Sequence, residues 1–227
     1  DEPLIDRYRY QFPKKDIHSV PIAGGSIISL NENNIPKIGP KSAGSDPGPV
    51  CYGRGGEDIT VTDINLLLGY FQPEFFLGGQ EQMAIEKTRD NFTKQIADPL
   101  NKSTEVAARD LYELIISMIT DFLREKTVEE GIDPREFTIV SIGGAAGMHA
   151  AAVADELGVS SVIVPASASV HSAVGLLTTD VVYEQSKGVN IDMPFQPNEI
   201  VEIIADLKSS VVENLEQDGF NSDEIAT

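Results

Sequence analysis

The sequence is short of cysteine, histidine and basic residues, and each shortage excludes a class of protein. Its 227 residues include one cysteine and three histidines, and 17 lysines and arginines stand against 36 aspartates and glutamates. A single cysteine cannot form an internal disulfide, which fits a reducing, cytoplasmic setting. A net charge of −19 argues against nucleic acid and anionic membrane surfaces as partners, because both repel an acidic protein.

Long apolar runs and familiar catalytic clusters are absent as well. No run approaches the roughly 18 apolar residues of a membrane-spanning helix, and no basic segment followed by an apolar one predicts a secretory signal. No cysteine–histidine cluster has the spacing of a zinc site, no serine lies in a nucleophile elbow, and Cys51 has no evident base beside it. The chain is long enough for one large domain or two small ones.

A glycine-rich turn between two apolar runs is the most informative feature. Residues 137–142 are strand-like, residues 148–157 are helix-like, and residues 159–164 form a second strand-like run. Strand, turn, helix and strand in this order make a βαβ unit. Such a unit places a phosphate- or nucleotide-sized ligand over the turn between the first strand and the helix.

The turn itself carries glycines at positions 143, 144 and 147. Gly143 and Gly144 lack a Cβ atom, so the backbone can approach a bound group closely and adopt a positive φ. A helix that begins near Ala145 or Ala146 directs its free N–H groups at the same point. Ligand binding is therefore one interpretation, and close packing of helix against strand is the other.

The turn does not match the dinucleotide fingerprint G-x-G-x-x-G, because its first two glycines are adjacent. That fingerprint also needs an acidic residue at the end of the second strand to bind a ribose. Here the strand ends at Val164, Pro165 and Ala166. A dinucleotide-binding domain is therefore the less favoured alternative.

The first third of the chain predicts short strands and one unusual loop. Strands are expected at about 7–12, 17–22 and 26–30, with the last two forming a hairpin around the turn at 23–25. The loop at 39–56 is so rich in glycine and proline that neither a helix nor a central strand fits it. Ordered loops of this length are often functional.

Helical periodicity dominates the rest of the chain. The expected elements are a helix that starts in 60–63 with Thr62 or Asp63 as its cap, helices at about 86–97 and 104–130, a helix within 167–177, a strand at 181–186 and a last helix from Pro197. On the long helix, the predicted buried stripe includes Val106, Leu111, Leu114, Ile115 and Met118.

Three stretches together resemble one family. They are residues 16–27 with their Gly-Gly-Ser turn, the loop at 39–56 with residues 60–65, and residues 143–177. The family is the hydantoinase A / 5-oxoprolinase group, which also holds the ATP-dependent acetone and acetophenone carboxylase subunits. The resemblance covers nearly all of residues 4–188, and the central loop is its most specific part.

The resemblance implies an α/β fold of the actin/Hsp70/sugar-kinase-like (ribonuclease H-like) type. The phosphate-gripping segments of this family, including an Asp-Gly-Gly-Thr type turn, would precede Asp1, so we expect the chain to be an excised C-terminal portion. The implied domains are an ATP-binding domain at 1–190, made of a β-rich segment at 1–80, a helical segment at 81–135 and a βαβ nucleotide half-site at 136–190, and a helical extension at 191–227.

The resemblance also implies a function and a set of cofactor contacts. Members of the family use ATP to phosphorylate a carbonyl-derived oxygen of an amide, lactam or enolate, and hydrolysis or carboxylation follows. In such folds the strand–glycine–helix turn cradles the adenosine, and the first Gly-Gly-Ser turn lies near the interdomain cleft. The residues expected to contact the cofactor are Gly24, Gly25, Ser26, Gly143, Gly144 and Gly147.

The implied cofactors are ATP and Mg²⁺, with Mn²⁺ or Zn²⁺ in a partner subunit as an alternative. The implied partners are a small carbonyl or cyclic amide substrate, a second hydantoinase B-like subunit and the missing N-terminal half of the same fold. The chain is thus expected to form the nucleotide-binding part of a hydantoinase-, oxoprolinase- or acetone-carboxylase-like enzyme. A non-catalytic assembly module is the alternative.

Two histidines and one aspartate are candidate polar residues of the site. Asp16 and His18 lie two residues apart on one face of a predicted strand, where they could bind a metal or orient a substrate. An ordinary surface pair is the equal alternative. His149 falls on the helix after the glycine turn, where it is either a packed, hydrogen-bonded side chain or a catalytic one.

Arg54 is a candidate catalytic residue along with Asp16 and His18, because it lies between glycines of the central loop. Its guanidinium could bind a phosphate or carboxylate through two parallel hydrogen bonds. The alternative is a contact that braces the loop through Asp46, Asp58 or Asp63.

Overall fold

A computed structural model describes residues 17–190 and 196–226, together with the backbone of two short strands nearer the N-terminus. The chain divides into two compact units, residues 1–171 and residues 172–227. The predicted limit at residue 190 between an ATP-binding domain and an extension stays a prediction.

The two N-terminal strands are β1 (Leu4–Ile5) and β2 (Tyr8–Arg9), which pair antiparallel. β2 falls within the strand predicted at about 7–12. The candidate Asp16 lies outside the described residues.

A β-hairpin forms the next part of the fold, but not between the predicted partners. β3 (Ser26–Leu30) is confirmed, and it pairs antiparallel with β4 (Pro36–Ser42). The strand predicted at 17–22 is wrong, because those residues form no ladder. The other edge of β3 is occupied instead by Ile59, whose carbonyl oxygen accepts from the Ile28 N–H at 2.7 Å.

β4 also takes in the first four residues of the central loop, which contribute an edge strand. The sequence predicted that this loop contains no helix and no central strand. That prediction needs one correction, because a 3₁₀ turn covers Val50–Tyr52. Edge strands tolerate proline because one side of the strand makes no ladder hydrogen bonds.

Helix α1 (Val61–Leu67) follows the loop, and its cap differs from the predicted one. The cap is Thr60, whose hydroxyl accepts from the Asp63 N–H, while the Asp63 carboxylate accepts from the Thr60 N–H at 2.8 Å and the Thr60 hydroxyl at 2.8 Å. The prediction of Thr62 or Asp63 as the cap was therefore wrong, because threonine and aspartate are both good caps and Thr60 lies only two residues before Thr62. The second Asp63 oxygen accepts from the Cys51 N–H at 2.8 Å, so one buried carboxylate joins the loop to the helix.

Two longer helices complete the core of the first unit. α2 (Ile85–Phe92) continues through a π-helical turn at Thr93–Ala97, and α3 spans Thr104–Glu129. Both helices confirm their predicted ranges. The stripe on α3 was partly wrong, because Val106, Leu114 and Met118 are between 36% and 49% exposed. The buried residues of α3 are Ala107, Ala108, Leu111, Tyr112, Ile115, Ile116 and Thr120.

The βαβ unit is confirmed. β5 (Ile139–Val140) and β6 (Val162–Ile163) pair in parallel, and α4 (Gly147–Leu157) connects them. α4 begins one or two residues later than predicted and ends at Gly158, which adopts a φ of 74°.

The remaining helices are α5 (His171–Leu177) and α6 (Pro197–Gln217), both in their predicted places. The strand predicted at 181–186 is wrong. Those residues are exposed, and the part of the second unit that the structure describes holds no strand with which they could pair. Among the helices of residues 17–190 and 196–226, none combines the length and apolarity needed to cross a bilayer.

The buried Asp63 contacts predict a large effect on stability. Asp63→Ala leaves the N–H groups of Cys51 and Thr60 buried without an acceptor, at a cost of about 1–3 kcal/mol each. We expect the free energy of unfolding, measured by urea denaturation, to fall by about 3 kcal/mol or more. Asp58→Ala, at an exposed position near the end of the same loop, should change it by less than about 0.5 kcal/mol. Equal losses of unfolding free energy in Asp63→Ala and Asp58→Ala would contradict the structural role assigned to the Asp63 carboxylate.

Candidate functional site

A cleft of about 450 Å³ is lined by two glycine-containing turns that are far apart in the sequence. One wall contains Ala23 and Gly24, and an adjoining wall contains Gly143, Ala145 and Ala146, since a Cβ atom built on Gly24 would lie 3.6 Å from that of Ala145. Its volume falls in the range of roughly 300–1,000 Å³ that is typical of small-molecule sites. The other lining residues are Val20, Ile22, Val61, Ile119, Leu123, Ile139, Val140, Ser141, Ile142, His149, Ala150 and Val153.

The wall that precedes α4 is open, and no side chain covers the start of the helix. Gly143 adopts a φ of +103°, which favours glycine, and its N–H donates to the Ala168 carbonyl at 2.7 Å. A Cβ atom built on Gly143 or Gly144 meets no atom within 4 Å, so the space in front of the turn is free. No side chain caps Ala146, the residue before α4. The partial positive charge of the helix N-terminus is therefore available to a ligand anion.

The adjoining wall at Gly24 is held by close packing. The Gly24 carbonyl accepts from both the N–H and the hydroxyl of Thr62, each at 2.8 Å. A Cβ atom on Gly24 would lie 2.8 Å from the Thr62 hydroxyl oxygen, and one on Gly25 would lie 2.8 Å from that of Ser42. These two glycines are thus required by the packing of the turn itself.

Of the three residues predicted in this first turn, Gly24 alone belongs to the described lining of the cleft. The Ser26 hydroxyl accepts from the Ala23 N–H at 2.8 Å and donates to the Pro21 carbonyl at 3.4 Å. Ser26 is therefore committed to closing the turn. Gly147, from the second turn, faces Val164 and is likewise outside the described lining.

His149 lies in the first turns of α4 and is 7% exposed. Its Nε2 atom is 3.3 Å from Nδ2 of Asn65, and its ring stacks on Tyr112 with 5.4 Å between centroids. The Tyr112 hydroxyl in turn donates to the Met148 carbonyl at 2.8 Å. The structure therefore contains the packed, hydrogen-bonded histidine that was one of the two sequence interpretations.

The proton position on His149 follows from this contact. Burial lowers the pKa of His149, so the ring is neutral near pH 7. Because the Asn65 amide donates to Nε2, the ring proton lies on Nδ1. Nδ1 and the hydroxyl of Ser141, both in residues that line the cleft, have no hydrogen-bond partner in the described part of the chain.

Sequence reasoning missed Ser141 and Asn65. Ser141 is a polar residue that directly follows β5, immediately before the glycine turn, and this interruption of an apolar run was the available signal. Asn65 gave no such signal, because its contact with His149 bridges two distant segments.

His18 lies outside the described lining of the cleft, with Nε2 3.9 Å from a carboxylate oxygen of Glu130. Its pairing with Asp16 stays a prediction, since Asp16 is not described. The role of His18 in catalysis likewise stays a prediction.

Arg54 contacts a residue that sequence reasoning did not name. Its Nη2 atom donates to both carboxylate oxygens of Glu81, at 2.5 and 2.7 Å, and its guanidinium lies over the ring of Tyr52. The bracing partner is thus Glu81 rather than Asp46, Asp58 or Asp63. Arg54 does not belong to the described lining of the cleft, and its catalytic role stays a prediction.

Cys51 is buried beneath this loop. Burial, followed by the neighbouring charge of Asp63, raises the pKa of its thiol. The thiol is therefore protonated and unsuited to nucleophilic attack.

Carboxylate and imidazole groups do not converge on the cleft. Within residues 17–190 and 196–226, no group of three or more histidine, cysteine, aspartate or glutamate side chains could hold a metal ion. The described residues therefore do not fit a divalent cation site, whereas the open turn and uncapped helix fit a nucleotide.

A family model for hydantoinase/oxoprolinase matches residues 1–185. The caprolactamase alpha subunit of Pseudomonas jessenii is 37% identical over 220 residues, which cover 96% of this chain and 32% of that subunit. The acetone carboxylase beta subunit of Xanthobacter autotrophicus is 34% identical over 236 residues, which cover 99% of this chain and 33% of that subunit.

The fold is also similar to that of a solved enzyme. A nucleotide-free structure of acetone carboxylase, which carboxylates acetone in an ATP-dependent reaction, matches with a TM-score of 0.86 at 34% identity. The match covers 98% of this chain and 33% of the other. The chain therefore spans about a third of the length of these relatives. The matches confirm the family resemblance and the α/β fold class that it implied.

The lowered pKa of His149 predicts how stability depends on pH. As the pH falls, the unfolded chain binds a proton at His149 near the ordinary pKa of about 6.5, before the folded chain does. The contribution of His149 is thus fully present above about pH 6.5 and is lost towards the lower folded pKa, with a slope of at most about 1.4 kcal/mol per pH unit.

His149→Gln keeps an amide near the Nε2 position but does not titrate. Urea denaturation at about pH 7.5 and about pH 5.5 should therefore give a smaller pH dependence for this variant than for the unchanged protein. The aspartates and glutamates contribute the same pH dependence to the variant and to the unchanged protein. An unchanged pH dependence of stability in His149→Gln would contradict the lowered pKa assigned to His149.

Proposed function

The chain belongs to the hydantoinase/oxoprolinase family, and we propose that it forms the nucleotide-binding part of an ATP-dependent enzyme that activates a carbonyl or lactam substrate by phosphorylation. The proposal rests on the meeting of two glycine turns at one cleft. The turn that contains Gly24 and the turn that contains Gly143 both line it. The family resemblance had assigned both turns to a nucleotide site.

The properties of the two walls support a nucleotide as the ligand. The N-terminus of α4, which no side chain caps, suits a phosphate group because the helix dipole favours an anion there. The apolar lining suits a ring and its sugar. ATP would supply the phosphoryl group, and the residues of this chain would bind and orient it, so catalysis proceeds by positioning and charge stabilisation.

We propose that the cation and the rest of the active site are contributed by other parts of the enzyme. The described residues offer no cluster for Mg²⁺, so the ligands of this cation would be supplied by other parts of the enzyme. We propose that the phosphate-gripping segments come from the remaining part of the fold and that a hydantoinase B-like subunit completes the enzyme. The names of the relatives support a multi-subunit assembly, since each is a subunit. A cytoplasmic setting is proposed from the single cysteine.

Calorimetry with ATP and with NADH tests this function against its alternatives. We expect the chain, joined to the remainder of its fold, to bind ATP but not NADH. ATP binding that is weaker or missing in the 227-residue chain alone would agree with a site completed elsewhere. Binding of NADH in place of ATP would favour a dinucleotide domain, and binding of neither would favour an assembly module.

The glycine turn before α4 gives a sharper test, because Gly144 lies between the lining residues Gly143 and Ala145 and has an ordinary φ with open space around its Cβ position. Gly144→Ala should leave the fold intact but place a methyl group where the nucleotide approaches the backbone. We expect ATP affinity to fall by at least about tenfold, measured by calorimetry. Gly188→Ala, also at an open position of ordinary φ, should leave it unchanged. Equal ATP affinity in the two variants would count against the proposed cradle.

A further inference from the structure

The second unit, residues 172–227, exposes much apolar surface and encloses little core. Leu215 is the one buried hydrophobic side chain among its described residues, 172–190 and 196–226, whereas ten large hydrophobic side chains there are exposed. Leu176, Leu177 and Val182 are between 72% and 87% exposed. Exposed apolar side chains are ordinary when they are scattered singly, but a concentration of them marks an interaction surface.

Helix α6 carries part of this surface on one side of its first half. Ile204 follows Ile200 by four residues and Val201 by three, so these three side chains, called here the α6 patch, are neighbours on the helix. Val201 and Ile204 are 62% and 58% exposed. A helix gains most of its stability from packing an apolar face, so a surface that covers the α6 patch would stabilise it.

The charge of the second unit limits what can cover the α6 patch. Residues 172–227 contain eleven aspartates and glutamates and two lysines, with no arginine. Nucleic acid, an anionic membrane and a second copy of the same acidic unit would all be repelled. A surface that combines an apolar groove with surrounding lysines or arginines is complementary to the second unit in both apolarity and charge.

We propose that the α6 patch docks into an apolar groove, surrounded by basic residues, on a second and different protein subunit of the enzyme. The inference rests on the proposed function, because it assigns a docking surface to the hydantoinase B-like subunit proposed there. The similar caprolactamase alpha and acetone carboxylase beta chains are subunits by name, which supports a partner of this kind. An amphipathic helix that lies in a groove is a recurring mode of protein recognition.

Contacts at both ends of α6 hold the helix that presents the patch. At its N-terminus, the Glu199 carboxylate accepts from the Gln196 N–H at 3.4 Å. At its C-terminus, Leu215 is buried and the Tyr183 hydroxyl donates to the Asp218 carboxylate. A preformed helix loses little conformational freedom when it docks, so more of the apolar contact contributes to affinity.

The matched variants Ile204→Asp and Ser209→Asp test the α6 patch. Each adds one negative charge to α6 at an exposed position, but Ser209 lies about 140° around the helix from Ile204. Calorimetry would titrate the protein, joined to the rest of its fold, with the separately produced hydantoinase B-like subunit. Ile204→Asp should weaken this binding by at least about tenfold, because a charge replaces a docked isoleucine. Ser209→Asp should change it by less than about threefold.

The dependence of binding on ionic strength tests the basic surroundings of the groove. Binding of the unchanged protein to the second subunit should weaken at least about threefold between about 0.05 M and about 0.5 M salt, because salt screens the attraction between opposite charges. An affinity that stays constant or rises with salt would overturn the chemistry assigned to the partner. Circular dichroism of both variants would check that α6 is still helical.

Three further outcomes would overturn the docking surface. Equal affinities of Ile204→Asp and Ser209→Asp for the second subunit would place the α6 patch outside the interface. Sedimentation of the unchanged protein as a dimer that Ile204→Asp dissociates would identify a second copy as the occupant. Protection of Ile204→Cys from maleimide without the second subunit would show that the patch is covered by its own polypeptide, and the buried Cys51 does not compete in this assay. ATP binding by the unchanged protein is measured separately, so failure of the proposed function and failure of the docking surface are distinguishable.

Discussion

The first turn of α1 is the physical constraint on which the candidate site depends. The Thr60–Asp63 cap fixes the start of the helix, and the same carboxylate holds the Cys51 N–H of the central loop. Thr62 binds the carbonyl of Gly24, and Asn65 reaches His149 on α4. One short helix thus contacts both walls of the cleft. Residues three apart on a helix share a face, which is why Thr62 and Asn65 can serve the two walls together.

The charge of the chain limits how an anionic nucleotide can be held. The protein carries a net charge of −19, and the cleft lining contains no basic side chain that could offset it. The N-terminus of α4 offers only a partial positive charge, about half of an elementary charge. The described part of this cleft can therefore supply shape and hydrogen bonds for a nucleotide, while most of the compensation for the phosphates has to come from other groups.

Local patterns predicted the fold better than they predicted the contacts of the site. The βαβ unit, α3 and α6 were predictable because periodicity, glycine and proline act over neighbouring residues. The contact on the second edge of β3 was not predictable, because Ile59 reaches that edge from a distant position in the sequence. The contacts of Arg54 with Glu81 and of Asn65 with His149 were likewise not predictable, because the chemistry of each residue allowed several partners. The sequence indicated the glycine turns correctly, but their meeting at one cleft is a property of the tertiary structure.

The two glycine turns are alike in sequence and different in physical role. Gly24 and Gly25 lack room for a Cβ atom because Thr62 and Ser42 already occupy it, so packing alone accounts for them. Gly144 has open space and an ordinary φ, so neither packing nor backbone strain accounts for its lack of a side chain. The missing side chain leaves room there for a ligand to approach the backbone. The wall before α4 is therefore where ligand contact is expected to be closest, and the wall at Gly24 is the rigid surface beside it.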